Sequence, residues 1–356
     1  MPLKYVAFFI LIFVSITINF TMPKRIIDKI QMITVAGYDY VDENTLKGTI
    51  ATPIFLQKGE IQDILYTDDA SMIYDLDTKL NTEASEDLEN GKLAVVLFNE
   101  ELAKHGVKDY TDFLLREPSI GSGLYLAVTE GSTNELLSSI KSMKGAGVYL
   151  SDLIKHNIQS QKHPDTNLKT FTYSLECETC DPFLPYFRMV DGKPKIDAIA
   201  LFKKDTYIDQ IPIEDSFVFN LLNGDIENGD YVLERKEFKA AIQNIDTDRK
   251  VIVNQQNGSI NILLDIEIIG VIREYTGNRV LRDKGKIKKD LEKELHKKAE
   301  EMIKNFQEKN IDPIGIKEQI RSKIRALTIK QINDQYPAIT INMHITYTNL
   351  ESGTRR

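Results

Sequence analysis

The chain has 356 residues, 42% of them hydrophobic and 28% charged, with 45 basic side chains against 53 acidic ones. This length exceeds one ordinary hydrophobic core and points to two or three folding units. A formal net charge of −8 is repelled by phosphate backbones and anionic headgroups, so no nucleic-acid partner and no purely electrostatic membrane contact is expected.

The first element is an apolar run. Lys4 precedes the uncharged residues 5–18, and Lys24 and Arg25 close the segment. Extended to Met22, the run has 18 residues, about 27 Å at the helical rise, enough for a tilted membrane span. No face of it is polar, which argues against a core helix, and no A-x-A pattern marks a cleavage point. Residues 1–25 are therefore expected to form a hydrophobic anchor, with a signal segment as the alternative. Lys4 and the amino terminus oppose Lys24, Arg25 and Lys29, so the positive-inside rule does not decide orientation. Without residues 1–23 the body carries 44 basic against 53 acidic side chains, so the tether must be hydrophobic.

Residues 31–40 and 45–56 read as strands joined by the polar turn 41–44. Thr67 is an N-cap candidate for a helix carrying Ile73, Leu76 and Leu80. Residues 93–98 form a buried strand, a helix over 100–105 stops at Gly106, and a second helix carries Tyr110, Phe113 and Leu114. Residues 124–129 form another strand, and Ser132 with Glu135 reads as a capping box. The stretches 159–167 and 176–195 are polar and aperiodic, as where domains meet. The expected division is 26–190, an N-terminal region of one or two subdomains, and 196–356, a C-terminal α+β domain.

In the second unit, strands over 249–254 and 259–274 flank Asn257-Gly258, a strong hairpin signal. Ile287, Leu291, Leu295, Ala299, Met302 and Phe306 then mark one helical stripe. Asp312-Pro313 reads as the start of a further helix carrying Ile316, Ile320, Ile324 and Leu327. Strict alternation from Ile339 to Tyr347 predicts a half-exposed antiparallel closing strand. The fold class is α+β, multi-domain, with small mixed or antiparallel sheets flanked by helices.

These segments resemble the Ger(x)C family, the C subunits of spore nutrient germinant receptors. In the first half the likeness rests on Ala36-Gly-Tyr-Asp39 and on the stretch Leu102-Ala-Lys-His-Gly through Arg116. In the second it rests on Ala198-Ile-Ala-Leu-Phe-Lys-Lys-Asp205, Glu267-Ile-Ile-Gly-Val-Ile-Arg-Glu-Tyr275, Asn310-Ile-Asp-Pro-Ile-Gly-Ile316 and Gly353-Thr354. The resemblance implies a non-enzymatic subunit on the outer face of the membrane around the spore core, partnered by an A subunit and a transporter-like B subunit. It implies no cofactor. Relatives carry a lipobox ending in Cys-Trp-Asp; this chain has Thr21-Met22-Pro23-Lys24-Arg25 there, which removes the lipidated cysteine. An exported solute-binding ectodomain is the alternative function, and a cell-wall hydrolase a more distant one.

Cys177-Glu-Thr-Cys180 is the one spacing with chemical meaning: a local disulfide is the first reading, free thiols the second, half a zinc site the last. His105, His156, His163, His296 and His344 are dispersed, and surface or helix-end roles are expected for them. Asp39 with Asp42, and Asp68 with Asp69, fit turn and helix-end hydrogen bonding without chemistry. Gly121-Ser-Gly123 and Gly145-Ala-Gly147 lack the flanks of a phosphate loop. No catalytic, cofactor-binding or metal-ligating residue is assigned.

Overall fold

Continuous and alternating apolar runs build two different sheets in this protein. The computed structural model describes residues 5, 8, 12–13, 30–56, 60–141, 144–224, 226–256, 259–277 and 280–350. Ile30–Met32 (β1) leads in and pairs with Asp87–Glu89 (β5) in a small parallel sheet. The continuous runs supply Val35–Asp42 (β2), Thr45–Phe55 (β3), Ile61–Ala70 (β4), Val95–Asn99 (β6), Tyr125–Thr129 (β7) and Phe183–Val190 (β8). With Lys193–Lys203 (β9) and Thr206–Pro212 (β10) they form an eight-stranded mixed sheet in the order β10-β9-β8-β7-β6-β2-β3-β4.

Helices cover both faces of this sheet. Ile73–Glu83 (α1), Glu100–His105 (α2), Lys108–Arg116 (α3) and Leu168–Glu176 (α6) pack on one, Thr133–Ser139 (α4) and Ala146–Gln159 (α5) on the other. The strand β6 therefore shows no alternation: Val95 and Leu97 enter the core under α4 and α5, Val96 and Phe98 the opposite core, and all four are fully buried.

Alternating runs build the second sheet, Asp230–Glu234 (β11), Lys239–Gln256 (β12), Ser259–Tyr275 (β13) and Thr340–Asn349 (β14), in that order. Ser216–Asn223 (α7) and the long Val280–Lys309 (α8) cover one face. Ile287, Leu291, Leu295, Ala299, Ile303 and Phe306 of α8 meet Ile260, Ile262, Leu264, Ile266 and Ile268 of β13. Ile316–Lys323 (α9) and Ile329–Gln335 (α10) fill the corner before β14.

The two sheets share a wall. Ala198, Ala200 and Phe202 of β9 belong to the first core, whereas Ile199 and Leu201 belong to the core under α8. Hydrogen bonding also runs across the border at 190–196, because β8 and β9 pair antiparallel on its two sides.

The structure corrects several local expectations. Thr67 lies within β4, bonding to Thr49 across the ladder, and α1 is preceded by Met72 with no side-chain cap. The closing strand β14 runs parallel to β13, not antiparallel, because the connection through α8, α9 and α10 returns the chain to the same end of the sheet. Asp312-Pro313 does not open a helix: α9 begins at Ile316 after the left-handed Gly315 and ends at Lys323, leaving Ile324 and Leu327 in a linker. The Asn257-Gly258 turn and most of the apolar N-terminal segment lie outside the described residues. Tyr5, Phe8, Ile12 and Phe13 of that segment are helical and exposed. Among the described residues no helix is long and apolar enough to cross a membrane.

Candidate functional site

A buried polar cluster sits where the two halves meet. Helix α6 ends at Cys177, whose N–H donates to Tyr173 O at 3.1 Å, and a short loop leads to Asp181 just before β8. Asp181 reaches three segments. Its N–H donates to Asp312 O at 3.3 Å, its Oδ2 accepts from Asp312 N at 2.7 Å, and its Oδ1 accepts from Lys204 N at 3.3 Å in the β9–β10 turn. Lys317 of α9 completes the cluster, its Nζ 3.3 Å from Asp181 Oδ2 and 5.5 Å from the centre of the Tyr336 ring. Asp181, Asp312, Lys317 and Tyr336 are all buried.

Two carboxylates beside one lysine in a buried joint share a single countercharge. Burial pushes the Asp312 carboxyl up to about 6, against the N–H and charge of Lys317 and with the neighbouring Asp181 adding to the rise. Its Oδ2 accepts from Lys317 N, and its Oδ1 has no protein partner. Burial also pushes the Tyr336 hydroxyl up, and that hydroxyl likewise lacks a protein partner.

Cys177 and Cys180 flank this cluster. Their Cα atoms are 5.3 Å apart, and the two sulfurs face one another within bonding reach. The loop between them is stitched to the second half: Thr179 Oγ1 donates to Glu318 Oε2 at 2.6 Å, and Glu178 O accepts from Asn333 Nδ2 at 3.4 Å. A cavity of about 570 Å³ opens beside the loop, lined in part by Cys177, Cys180, Asp181, Asn310, Lys317 and Asn333. A larger cleft of about 920 Å³ beside α8 is lined by charges several of which pair with one another, such as Arg235 with Glu294 and Lys297 with Glu301.

The other singled-out residues do not converge. Asp39 accepts from Thr133 N at 2.8 Å and from the hydroxyls of Thr133 and Ser132, fastening β2 to α4, and burial raises its carboxyl against these bonds. Ser132 caps α4 by accepting from Asn134 N and not through the expected capping box with Glu135, while Asp39 takes the N–H of Thr133, the first residue of the helix. Asp42 accepts from Asn44 N as a local turn bond, whereas Asp68 and Asp69 lie within β4 and not at a turn or helix end, Asp68 accepting from the neighbouring Asp69 N. His105 stacks on Tyr40, and His344 faces Asp265 at 2.9 Å. His163 departs from the expected surface role. It is fully buried, its Nδ1–H donates to Pro164 O at 2.6 Å, and burial lowers its imidazole to about 4.

Sequence reading missed Asp181, Lys317 and Tyr336. The one available signal was position: Asp181 follows the second cysteine directly, inside a stretch marked as a domain border. Among the described residues no group of histidine, cysteine and carboxylate side chains is arranged to hold a metal ion.

Comparisons with known proteins match two family domains, whose border falls between β8 and β9 inside the eight-stranded sheet. Residues 23–189 match the spore germination protein N-terminal domain, and residues 197–353 match the spore germination B3/GerAC-like C-terminal domain. The spore germination protein GerQC of Bacillus cereus is 30% identical over 321 residues, covering 88% of this chain and 89% of that protein. The crystal structure of the GerBC protein superimposes with a TM-score of 0.59 at 13% identity, covering 89% of this chain and 97% of that one, a likeness of fold. Two family domains in order, with a full-length relative at this identity, show that the chain belongs to the GerAC-like, or Ger(x)C, family of spore germination proteins.

Proposed function

We propose that the chain is a non-enzymatic subunit of a spore germinant receptor, held to the membrane by its apolar N-terminal segment and docked to A and B membrane subunits. The observation that carries this reading is the match of both family domains, in order, from residue 23 to residue 353. In this reading the buried joint keeps the two sheets in one orientation, so that a partner bound to one half acts on the other. We further propose that Cys177 and Cys180 form a local disulfide, which alkylation and mass measurement with and without reductant will test.

The deciding experiment is native electrophoresis of spore inner membranes, probed for this chain. Co-migration with A and B partners is the expected result, and a chain that runs alone in intact membranes overturns the subunit reading. A second reading, solute binding, is favoured by the joint cavity, where Asn310 Oδ1 and Asn333 Oδ1 are buried without protein partners. Thermal shift against a panel of small amines and amides tests it: a saturable rise, abolished by Asn333→Leu, supports it, and no rise removes it.

A further inference from the structure

We infer that the end of the β3–β4 ladder, at Phe55 and Leu56, is a second membrane contact, seated in the interfacial layer of the bilayer that holds the apolar N-terminal segment. The inference rests on the tether reading above and adds a contact made by the folded body. Phe55 is 79% exposed and Leu56 41% exposed, at the last rungs of a ladder in which Phe55 faces Ile61. Large apolar side chains this exposed, adjacent and at a hairpin end mark an interaction site more often than isolated surface residues do.

The chain path says what covers them. Strand β2 is antiparallel to β3 with Val35 opposite Ala51, so going backwards from Val35 the chain heads toward the β3–β4 tip. The lead-in stays beside this half of the hairpin: Gln31 Oε1 accepts from Tyr66 OH at 2.9 Å and lies 3.5 Å from Thr52 Oγ1. The apolar run therefore joins the body at the end of the sheet that carries Phe55 and Leu56. Eleven residues, 19–29, separate Ile18 from Ile30 and reach at most about 40 Å even when fully extended. The start of α5 lies at this end too, where Asp63 of β4 accepts from Ala146 N at 2.7 Å, and it adds Val148, 42% exposed. A body with more acidic than basic residues is not drawn to anionic headgroups by charge, so an apolar tip is the kind of contact that suits it.

The far end of the same edge strand provides a built-in control. Tyr74 is 74% exposed just beyond the end of β4, about 30 Å from the tip at the strand rise. The chain contains no tryptophan, so one introduced indole reports alone.

The test places Phe55→Trp, Leu56→Trp or Tyr74→Trp in the full chain, reconstituted into phosphatidylethanolamine–phosphatidylglycerol vesicles with or without brominated acyl chains, and floats the vesicles on a density gradient. Expected is co-flotation of all three variants, with a blue shift and loss of emission in brominated vesicles for Phe55→Trp and Leu56→Trp, and neither change for Tyr74→Trp. Flotation with unshifted, unquenched emission from both tip variants overturns the second contact and leaves the tether standing. Failure to float overturns the tether and the contact together. Equal quenching of Tyr74→Trp overturns the inference as well, since the body would then lie on the bilayer without a preferred end.

Discussion

The eight-stranded and four-stranded sheets bury their strands under different rules. In β6 the consecutive side chains of Val95 to Phe98 go to opposite cores and all four are dry, because helices cover both faces. In β13 burial alternates residue by residue, because α7 and α8 cover one face. A period of two along a strand thus reports how many faces are covered, and its absence in β6 is itself structural information. Between the sheets, β9 does both jobs, feeding one core with each face.

Adjacent substitutions in each sheet give the largest expected effects. Leu97→Asp and Phe98→Asp each strand a charge in a different dry core and are expected to cost more than about 4 kcal/mol. In β13 the same change at Ile266 is expected to cost as much, while Glu267→Ala next to it should stay within about 0.5 kcal/mol. Thermal melts of the four variants check this, and a Glu267→Ala cost like that at Ile266 means the outer face of the second sheet is covered.

Part of this contrast was legible in the sequence and part was not. The α8 stripe and the alternating faces of β13 and β14 were readable because each records a single covered face. The parallel direction of β14 was not, since alternation is the same in either direction and only the length and path of the crossover decide it. Asp312-Pro313 looked like a helix start because an aspartate before proline is common there. The structure uses Asp312 as a buried acceptor for Lys317 N instead. The joint itself was hidden: Asp181 and Lys317 are 136 residues apart, and nothing in the spacing of either marks its partner.

Lys317→Met asks whether the two sheets are held together by this cluster. Removing the cation leaves Asp181 and Asp312 buried without it, and a loss of about 3 kcal/mol is expected. Lys297→Ala on the exposed face of α8, which breaks a solvated pair with Glu301, should change stability by less than about 0.5 kcal/mol. Equal small effects in denaturant titrations would mean that the shared β9 wall suffices without the ionic joint.

Asp312 gives a pH-dependent version of the same question. Its folded pKa near 6 lies above the ordinary 3.8, so the folded protein holds that proton more tightly than the unfolded chain does. The group therefore costs stability above pH 6, and the cost is relieved as pH falls from 6 toward 3.8. Asp312→Asn removes this dependence, so the parent is expected to gain roughly 2 kcal/mol on the variant between pH 7 and pH 4.5. Burial, and then Glu117, also raises Asp77 to about 6, but it is common to both proteins and cancels in the difference. A parent–variant difference that stays constant across this range would show Asp312 ionised throughout.

The cysteine pair carries only a modest expected effect, although it is the most conspicuous motif in the chain. Cys177→Ser with Cys180→Ser opens the proposed disulfide between residues only three apart, and so short a closure restricts the unfolded chain little, for a cost of about 2 kcal/mol or less. The contacts that carry the loop to the second half come from Thr179, Glu178 and Asp181, and none of them uses sulfur. If the pair only shortens the loop, its cost adds to that of Lys317→Met in the combined variant. If the link holds Asp181 in register for Lys317 and Asp312, the combined variant loses less than the sum, because either change alone has already released the joint. Additive losses, with nutrient-triggered release nearly intact in the cysteine variant, are the expected outcome. A silent variant at full receptor level would instead make the CxxC loop the element through which the two sheets communicate.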